Sequence, residues 1–156
     1  MRIVLLLYLC MLGSIAALRA WGTSSRAISK GALRMMSIAQ VQRMEVKKFG
    51  SILKDDTRSL YQIIDVREAN ELQLAAIPGS DIIHLPLSTA GDWMQEIIKG
   101  SLLDSSKPTL CLCHHGVRSM QMASFLVSQA DFEDVANIEG GIDAYAGQVD
   151  SSVGEY

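Results

Sequence analysis

The stretch with the highest density of reactive side chains is Cys-His-His-Gly-Val-Arg-Ser, residues 113–119. It follows an apolar run, so Cys113 stands at the end of a predicted strand, and a helix is predicted to begin near Ser119. A turn of this kind directs backbone N–H groups and the positive end of a helix toward the sulfur, and Arg118 adds a cation. Because these features favour the thiolate, the sequence predicts that Cys113 is a nucleophile.

The other residues of this turn fit the same hypothesis. Gly116 allows a backbone conformation that most residues do not adopt. We expect His114 and His115 to line the mouth of the pocket. A metal site built from them and the cysteines is disfavoured, because the ligand count is short and a strand-turn geometry is poor for zinc. Cys111 shares a strand face with Cys113, and we expect a buried structural residue there rather than a second redox thiol.

Alternating strands and helices must position this turn. Strands are predicted within residues 41–46, 60–66, 81–87, 108–113 and 134–141, and helices within residues 45–53, 68–76, 89–98, 118–130 and 140–149. This alternation predicts an α/β fold in which a central, mostly parallel sheet carries helices on both faces. In open sheets of this kind, ligands bind beyond the carboxyl ends of the strands.

Three distinctive stretches fall at predicted strand ends, namely Asp65-Val66-Arg67, the 113–119 turn and Glu139-Gly140-Gly141. We therefore expect all three to meet at one edge of the sheet. Asp65 and Arg67 are expected to support the loop through their charges and hydrogen bonds rather than to catalyse. The two glycines are expected to let the backbone pass close to the 113–119 turn, which we call the active loop.

Charge is distributed unevenly along the chain. Its 156 residues have a net charge of −3, yet residues 1–44 carry six Lys/Arg and no acid. The remainder carries eight Lys/Arg against seventeen acids, a charge of −9. An acidic body argues against a nucleic-acid platform, which needs a basic patch. Cys111 and Cys113 are too close together to bridge easily, which indicates a domain built for a reducing compartment.

The basic leader divides into two segments. Residues 1–20 have the charged start and apolar run of a signal peptide, and residues 21–37 have the acid-free, Ser- and Arg-rich composition of a transit peptide. Such a two-part leader resembles those of proteins sent to plastids of secondary origin, so we predict a plastid location. Secretion, or anchoring in a membrane by residues 3–18, is the alternative. The folded domain is predicted to span residues 38–156.

Four motifs in residues 38–156 resemble the single-domain rhodanese (thiosulfate sulfurtransferase-like) family, and the cyanobacterial and plastid members in particular. They are Ile-Ile-Asp-Val-Arg-Glu at 63–68, Ala-Ala-Ile-Pro-Gly at 75–79 with the following Asp-Ile-Ile-His-Leu-Pro-Leu at 81–87, the 113–119 loop, and Asn-Ile-Glu-Gly-Gly-Ile-Asp-Ala-Tyr at 137–145. Their order and spacing follow the family pattern, although Tyr145 stands where Trp is commoner.

The resemblance implies a three-layer α/β rhodanese-like fold and a sulfurtransferase activity. Sulfane sulfur would pass from a donor such as thiosulfate to a thiol or protein acceptor through a persulfide on Cys113. The substrate-binding loop would consist of His114, His115, Gly116, Val117, Arg118 and Ser119. Arg118 would hold the anionic donor, because a guanidinium suits an oxyanion. The resemblance implies no metal, no organic cofactor, no nucleic acid, and no membrane for the mature domain unless the leader is retained.

Two alternatives use the same fold. Phosphatases and arsenate reductases of rhodanese type have five residues between Cys and Arg, whereas this loop has four, residues 114–117. The smaller ring suits one sulfur atom better than a tetrahedral oxyanion. The second alternative is a non-catalytic rhodanese module that binds a partner or senses redox state. The intact Cys113 loop argues against that alternative, although fold and motif alone do not establish turnover.

Overall fold

The computed structural model describes residues 41–79 and 81–156. The leader segments 1–20 and 21–37, with the first residues of the predicted domain, lie outside the described residues. The strands are β1 (Gln42–Met44), β2 (Gln62–Asp65), β3 (Ile82–His84), β4 (Thr109–Leu112) and β5 (Val135–Ile138). The helices are α1 (Val46–Lys54), α2 (Ala69–Leu72), α3 (Ala90–Ile98), α4 (Val117–Gln129) and α5 (Gly141–Gln148). None of these helices is long and apolar enough to cross a membrane.

The five strands form one sheet in the order β1-β5-β4-β2-β3, and every neighbouring pair is parallel. This confirms the predicted parallel sheet. Because the strands run in the same direction, their carboxyl ends meet at a single edge. The three central strands β5, β4 and β2 therefore bring the three predicted stretches side by side at that edge.

Two hydrophobic cores lie on opposite faces of the sheet, because successive strand residues point to opposite sides. On one face, α1 and α5 pack against the strands, and the Phe49 and Tyr145 rings meet edge to face with centroids 5.8 Å apart. On the other face, α3 and α4 cover the sheet, with Trp93 and Met122 buried among the core residues. Helices on both faces make the three-layer α/β architecture that the sequence predicts.

The largest difference from the predicted helix boundaries is at the end of α2. The helix predicted over residues 68–76 ends at Leu72. The Ala76 N–H, which a helix reaching residue 76 would bond to the Leu72 carbonyl, donates to the Val153 carbonyl instead. Helix α4 begins at Val117, close to the start predicted near Ser119.

Candidate active site

Cys113 lies directly after β4 at the carboxyl edge of the sheet and is 1% exposed. Its Sγ accepts hydrogen bonds from the Gly116 N–H at 3.1 Å and from the Ser119 hydroxyl at 3.2 Å. Gly116 has a φ of 90°, which turns the chain back so that the amide reaches the sulfur. Among the described residues, this is the one backbone amide bonded to Sγ, whereas the sequence predicts several. Both donors stabilise negative charge on the sulfur.

Backbone N–H groups at the start of α5 hold the active loop in place. The Ile142 N–H donates to the Cys113 carbonyl at 2.9 Å, and the Asp143 N–H donates to the His114 carbonyl at 3.2 Å. Gly141 has a φ of 62°, and a Cβ at this position would overlap both carbonyl groups. Gly141 therefore permits a close approach to the active loop, as predicted, whereas a Cβ at Gly140 would meet Ala144 within α5.

Asp65 and Arg67 form a buried ion pair at the end of β2. The Arg67 Nε donates to both carboxylate oxygens at 3.0 Å, and Nη2 donates to Oδ2 at 2.7 Å. Arg67 Nη1 donates to the Ala75 carbonyl at 2.8 Å, and His84 Nε2 lies 2.7 Å from the Arg67 carbonyl oxygen. These contacts fix the turn between β2 and α2. The support of these two residues for the active loop stays a prediction.

Arg118 reaches across the edge of the sheet to α2. Its Nη1 and Nη2 donate to the two carboxylate oxygens of Glu71, each at 2.6 Å. Hydrogen bonding to Arg118 lowers the pKa of Glu71 to about 2, and the same contact raises the pKa of Arg118. The Arg118 guanidinium is therefore already paired with a carboxylate.

The sequence interpretation did not single out Glu71. A local signal for it exists, because Glu68 and Glu71 form a capping box at the start of α2. That helix follows the carboxyl end of β2, so its first turn must lie near the active loop. The capping pattern predicts the helix start, however, and says nothing about a partner in the loop.

Tyr156 is a second unpredicted residue at the site. Its hydroxyl donates to Glu71 Oε1 at 2.8 Å, and its ring stacks on the His114 imidazole with centroids 4.0 Å apart and planes tilted by 19°. His115 also contacts His114, with ring centroids 3.7 Å apart. Burial, followed by the neighbouring His115, lowers the pKa of His114. His114 therefore stays neutral to lower pH than an exposed histidine does.

Three residues at the loop carry potential metal ligands, namely His114, His115 and Asp143, whose ligand atoms lie within 4.8 Å of one another. His115 Nε2 is 3.9 Å from Asp143 Oδ2, and both side chains are more than half exposed. The group falls short of the four ligands of a structural zinc site. It also differs from the metal site considered in the sequence analysis, which combined the two histidines with the cysteines, because neither cysteine belongs to it.

A cavity of about 420 Å³ lies beside the loop. Its lining includes Val117 and Met120 from the start of α4, together with His115 and Asn137. Val117 is 67% exposed. The loop therefore presents an apolar residue to any molecule that approaches this cavity.

A family model for the rhodanese-like domain matches residues 46–148, which hold the sheet edge, the loop and the first turn of α5. The chain belongs to the rhodanese-like family. Thiosulfate sulfurtransferase GlpE of Pseudoalteromonas translucida is 35% identical over 83 residues, covering 53% of this chain and 70% of that relative. Sulfurtransferases are therefore among the relatives of this rhodanese-like domain.

A second relative is the rhodanese-like/PpiC domain-containing protein 12, chloroplastic, of Arabidopsis thaliana. It is 41% identical over 117 residues, which make up 75% of this chain but 36% of that protein. Among solved structures, a rhodanese-related protein of Thermoplasma volcanium has 27% identity and a TM-score of 0.53, covering 69% of this chain and 93% of that one. A polysulfide-sulfur transferase of Wolinella succinogenes, 21% identical with a TM-score of 0.55, shares the fold over 75% of this chain and 81% of its own.

Proposed function

We propose that this rhodanese-like protein transfers sulfane sulfur from an anionic donor such as thiosulfate to a thiol acceptor, through a persulfide on Cys113. The observation that carries the proposal is the position of the Cys113 sulfur. It lies at the end of a central parallel strand and accepts hydrogen bonds from Gly116 and Ser119. A thiolate held in this way is both a nucleophile and a stabilised leaving group, and two-step sulfur transfer needs both properties.

In the first step, the Cys113 thiolate attacks the outer sulfur of thiosulfate. A new S–S bond forms to Cys113, the S–S bond of thiosulfate breaks, and sulfite leaves with the bonding electron pair. In the second step, an acceptor thiolate attacks the outer sulfur of the persulfide. The Cys113 thiolate leaves, and the acceptor carries the sulfur as its own persulfide. Neither step needs a metal or an organic cofactor.

The loop residues divide this work by their positions. Ser119 and the Gly116 amide hold charge on the attacking sulfur in the first step and on the departing sulfur in the second. Arg118 binds the anionic end of the donor once the guanidinium has separated from Glu71. His114 and His115 line the mouth of the site. Val117 and the adjacent cavity contact the acceptor, which we expect to be a small thiol or a protein thiol.

We also propose that the protein works in a plastid. The Ser- and Arg-rich, acid-free composition of residues 21–37 supports this location, as does the relative named chloroplastic. Fusion of residues 1–44 to a fluorescent protein tests it. Fluorescence that ends at the cell surface or in the medium, with none in the plastid, would contradict the plastid location.

Intact-mass spectrometry of the purified chain tests the activity. After incubation with thiosulfate, we expect a gain of one sulfur atom, located on Cys113 by peptide mapping. Cyanide should then remove this sulfur as thiocyanate. The Cys113→Ser variant is the control and should gain no sulfur. A folded protein that forms no adduct with thiosulfate or with a small organic persulfide would contradict the proposal and favour a binding module.

A further inference from the structure

The segment that follows α5 is anchored near α2, where it places Tyr156 at the active site. Val153 is buried, and its carbonyl accepts from the Ala76 N–H at 2.8 Å. Gly154 has a φ of 90° and packs so closely on the Leu74 carbonyl that a Cβ would overlap it. Two contacts on the same segment therefore fix the direction from which Tyr156 approaches the loop.

The hydrogen bonds to Glu71 are divided evenly between its two carboxylate oxygens. Oε1 accepts from Arg118 Nη2 and from the Tyr156 hydroxyl, while Oε2 accepts from Arg118 Nη1 and from the Glu68 N–H. If Arg118 moves away, each oxygen still has one donor, at 2.8 Å in both cases. The Glu71 carboxylate is therefore not left unpaired when the ion pair opens.

A carboxylate with little solvent exposure is costly to leave without a partner. The Glu71 side chain is 14% exposed, so it depends on protein donors rather than on water. Arg67 Nη1 lies 3.5 Å from the Tyr156 oxygen and donates to it. Because that contact supplies a proton to the oxygen, the hydroxyl's own proton is directed to Glu71.

We propose that Tyr156 is a positioning residue, which lowers the cost of separating Arg118 from Glu71 and so frees the guanidinium to bind an anionic donor. This inference rests on the proposed function for the identity of the donor. The Tyr156 hydroxyl remains as a hydrogen-bond donor to Glu71 after Arg118 has left. The Tyr156 ring keeps His114 in place at the mouth of the site. It acts through Glu71 and Arg118 rather than by touching the reacting sulfur.

The test compares alkylation of Cys113 by iodoacetate, which is anionic, with alkylation by iodoacetamide, which is neutral and of similar size. The full-length chain is used, and peptide mapping assigns the label to Cys113. Removing the hydroxyl in Tyr156→Phe should lower the iodoacetate-to-iodoacetamide rate ratio by roughly tenfold, the scale of one hydrogen bond to a charged group. The neutral reagent reports on folding and access to the thiol in the same sample.

Two further variants make the test specific to Arg118. Tyr61→Phe is the matched control, because Tyr61 packs against the core on the α1 and α5 face. The iodoacetate-to-iodoacetamide rate ratio of this variant should equal that of the wild type. Arg118→Met should lower the ratio, and adding Tyr156→Phe to it should lower the ratio no further. If the double variant instead lowers the rate ratio by the product of the two single effects, Tyr156 does not act through Arg118.

Thiosulfate kinetics separate this inference from the proposed function. If the wild type transfers sulfur, Tyr156→Phe should raise KM for thiosulfate and leave kcat nearly unchanged. An unchanged alkylation ratio in a protein that forms the persulfide would overturn the role of Tyr156 alone. A lowered ratio in a protein that forms no persulfide would support the role of Tyr156 while contradicting sulfur transfer.

Discussion

The guanidinium of Arg118 and the carboxylate of Glu71 form a two-point ion pair with both contacts at 2.6 Å, although 47 positions separate the residues in the sequence. The pair joins the active loop to the first turn of α2. It also neutralises the charge of the Arg118 guanidinium. An anion that binds Arg118 would therefore compete with an internal carboxylate.

Replacement of Glu71 by Gln should produce a stability difference that depends on pH. The pKa of Glu71 is lowered from 4.5 to about 2 in the folded protein, so its stabilising contribution is complete above about pH 4.5 and is lost as the pH falls through 2. At pH 7, the variant should unfold with a free energy lower by about 1 kcal/mol, as for a partly buried ion pair. Urea unfolding at several pH values measures the difference.

The difference between wild type and Glu71→Gln should shrink between pH 4.5 and pH 2. Glu133→Gln is the control, because Glu133 is an exposed carboxylate. A difference that stays constant across this range would show that the effect comes from the shape of the glutamine rather than from the lost charge.

Replacement of Arg67 by Met should be among the most destabilising single changes. It would leave the Asp65 carboxylate, 3% exposed, without its cation, which costs about 3–5 kcal/mol for a buried pair. Arg43→Met is the matched control, since Arg43 pairs with Glu139 at 3.2 Å on the surface and its side chain is 71% exposed. That variant should stay within about 0.5 kcal/mol of the wild type in urea unfolding. If the two variants lose equal free energy of unfolding, burial is not the reason for the effect of Arg67→Met.

The two cysteines should behave differently. Burial, with a smaller contribution from Cys113, raises the pKa of Cys111, so this side chain remains a thiol. Cys113→Ser should abolish sulfur transfer. Cys111→Ser should retain most of it but lower the free energy of unfolding by about 1–3 kcal/mol, because a hydroxyl replaces an apolar thiol in the core. Thiocyanate release and urea unfolding measure these effects, and equal loss of activity would contradict a single nucleophile.

Ser119→Ala should slow persulfide formation by roughly tenfold, since it removes one of two hydrogen bonds to the Cys113 sulfur. Ser124→Ala is a suitable control on the same helix, because its hydroxyl donates to the Met120 carbonyl at 2.8 Å rather than to the sulfur. Single-turnover mixing with thiosulfate gives the rate. If the two alanine variants react equally fast, the Ser119 hydroxyl has no role in activating the thiol.

The sequence by itself determined the order of strands and helices, the position of Cys113 at a strand end, and the glycine that lets α5 approach the loop. These features depend on local patterns. Side-chain periodicity defines strands and helices, and the residue type at a turn restricts its backbone. Because strands that alternate with helices form a parallel sheet, the three reactive stretches had to meet at one edge.

Only the tertiary structure decided which side chains pair at that edge. Glu71 and Tyr156 carry no signal for a partner in the loop, and their hydroxyl-to-carboxylate contact spans 85 positions. The early end of α2 likewise depends on Val153, whose carbonyl accepts the Ala76 N–H that a longer helix would use. The physical reason is that composition and spacing constrain the backbone locally, whereas hydrogen bonds between distant residues depend on how the elements pack in three dimensions.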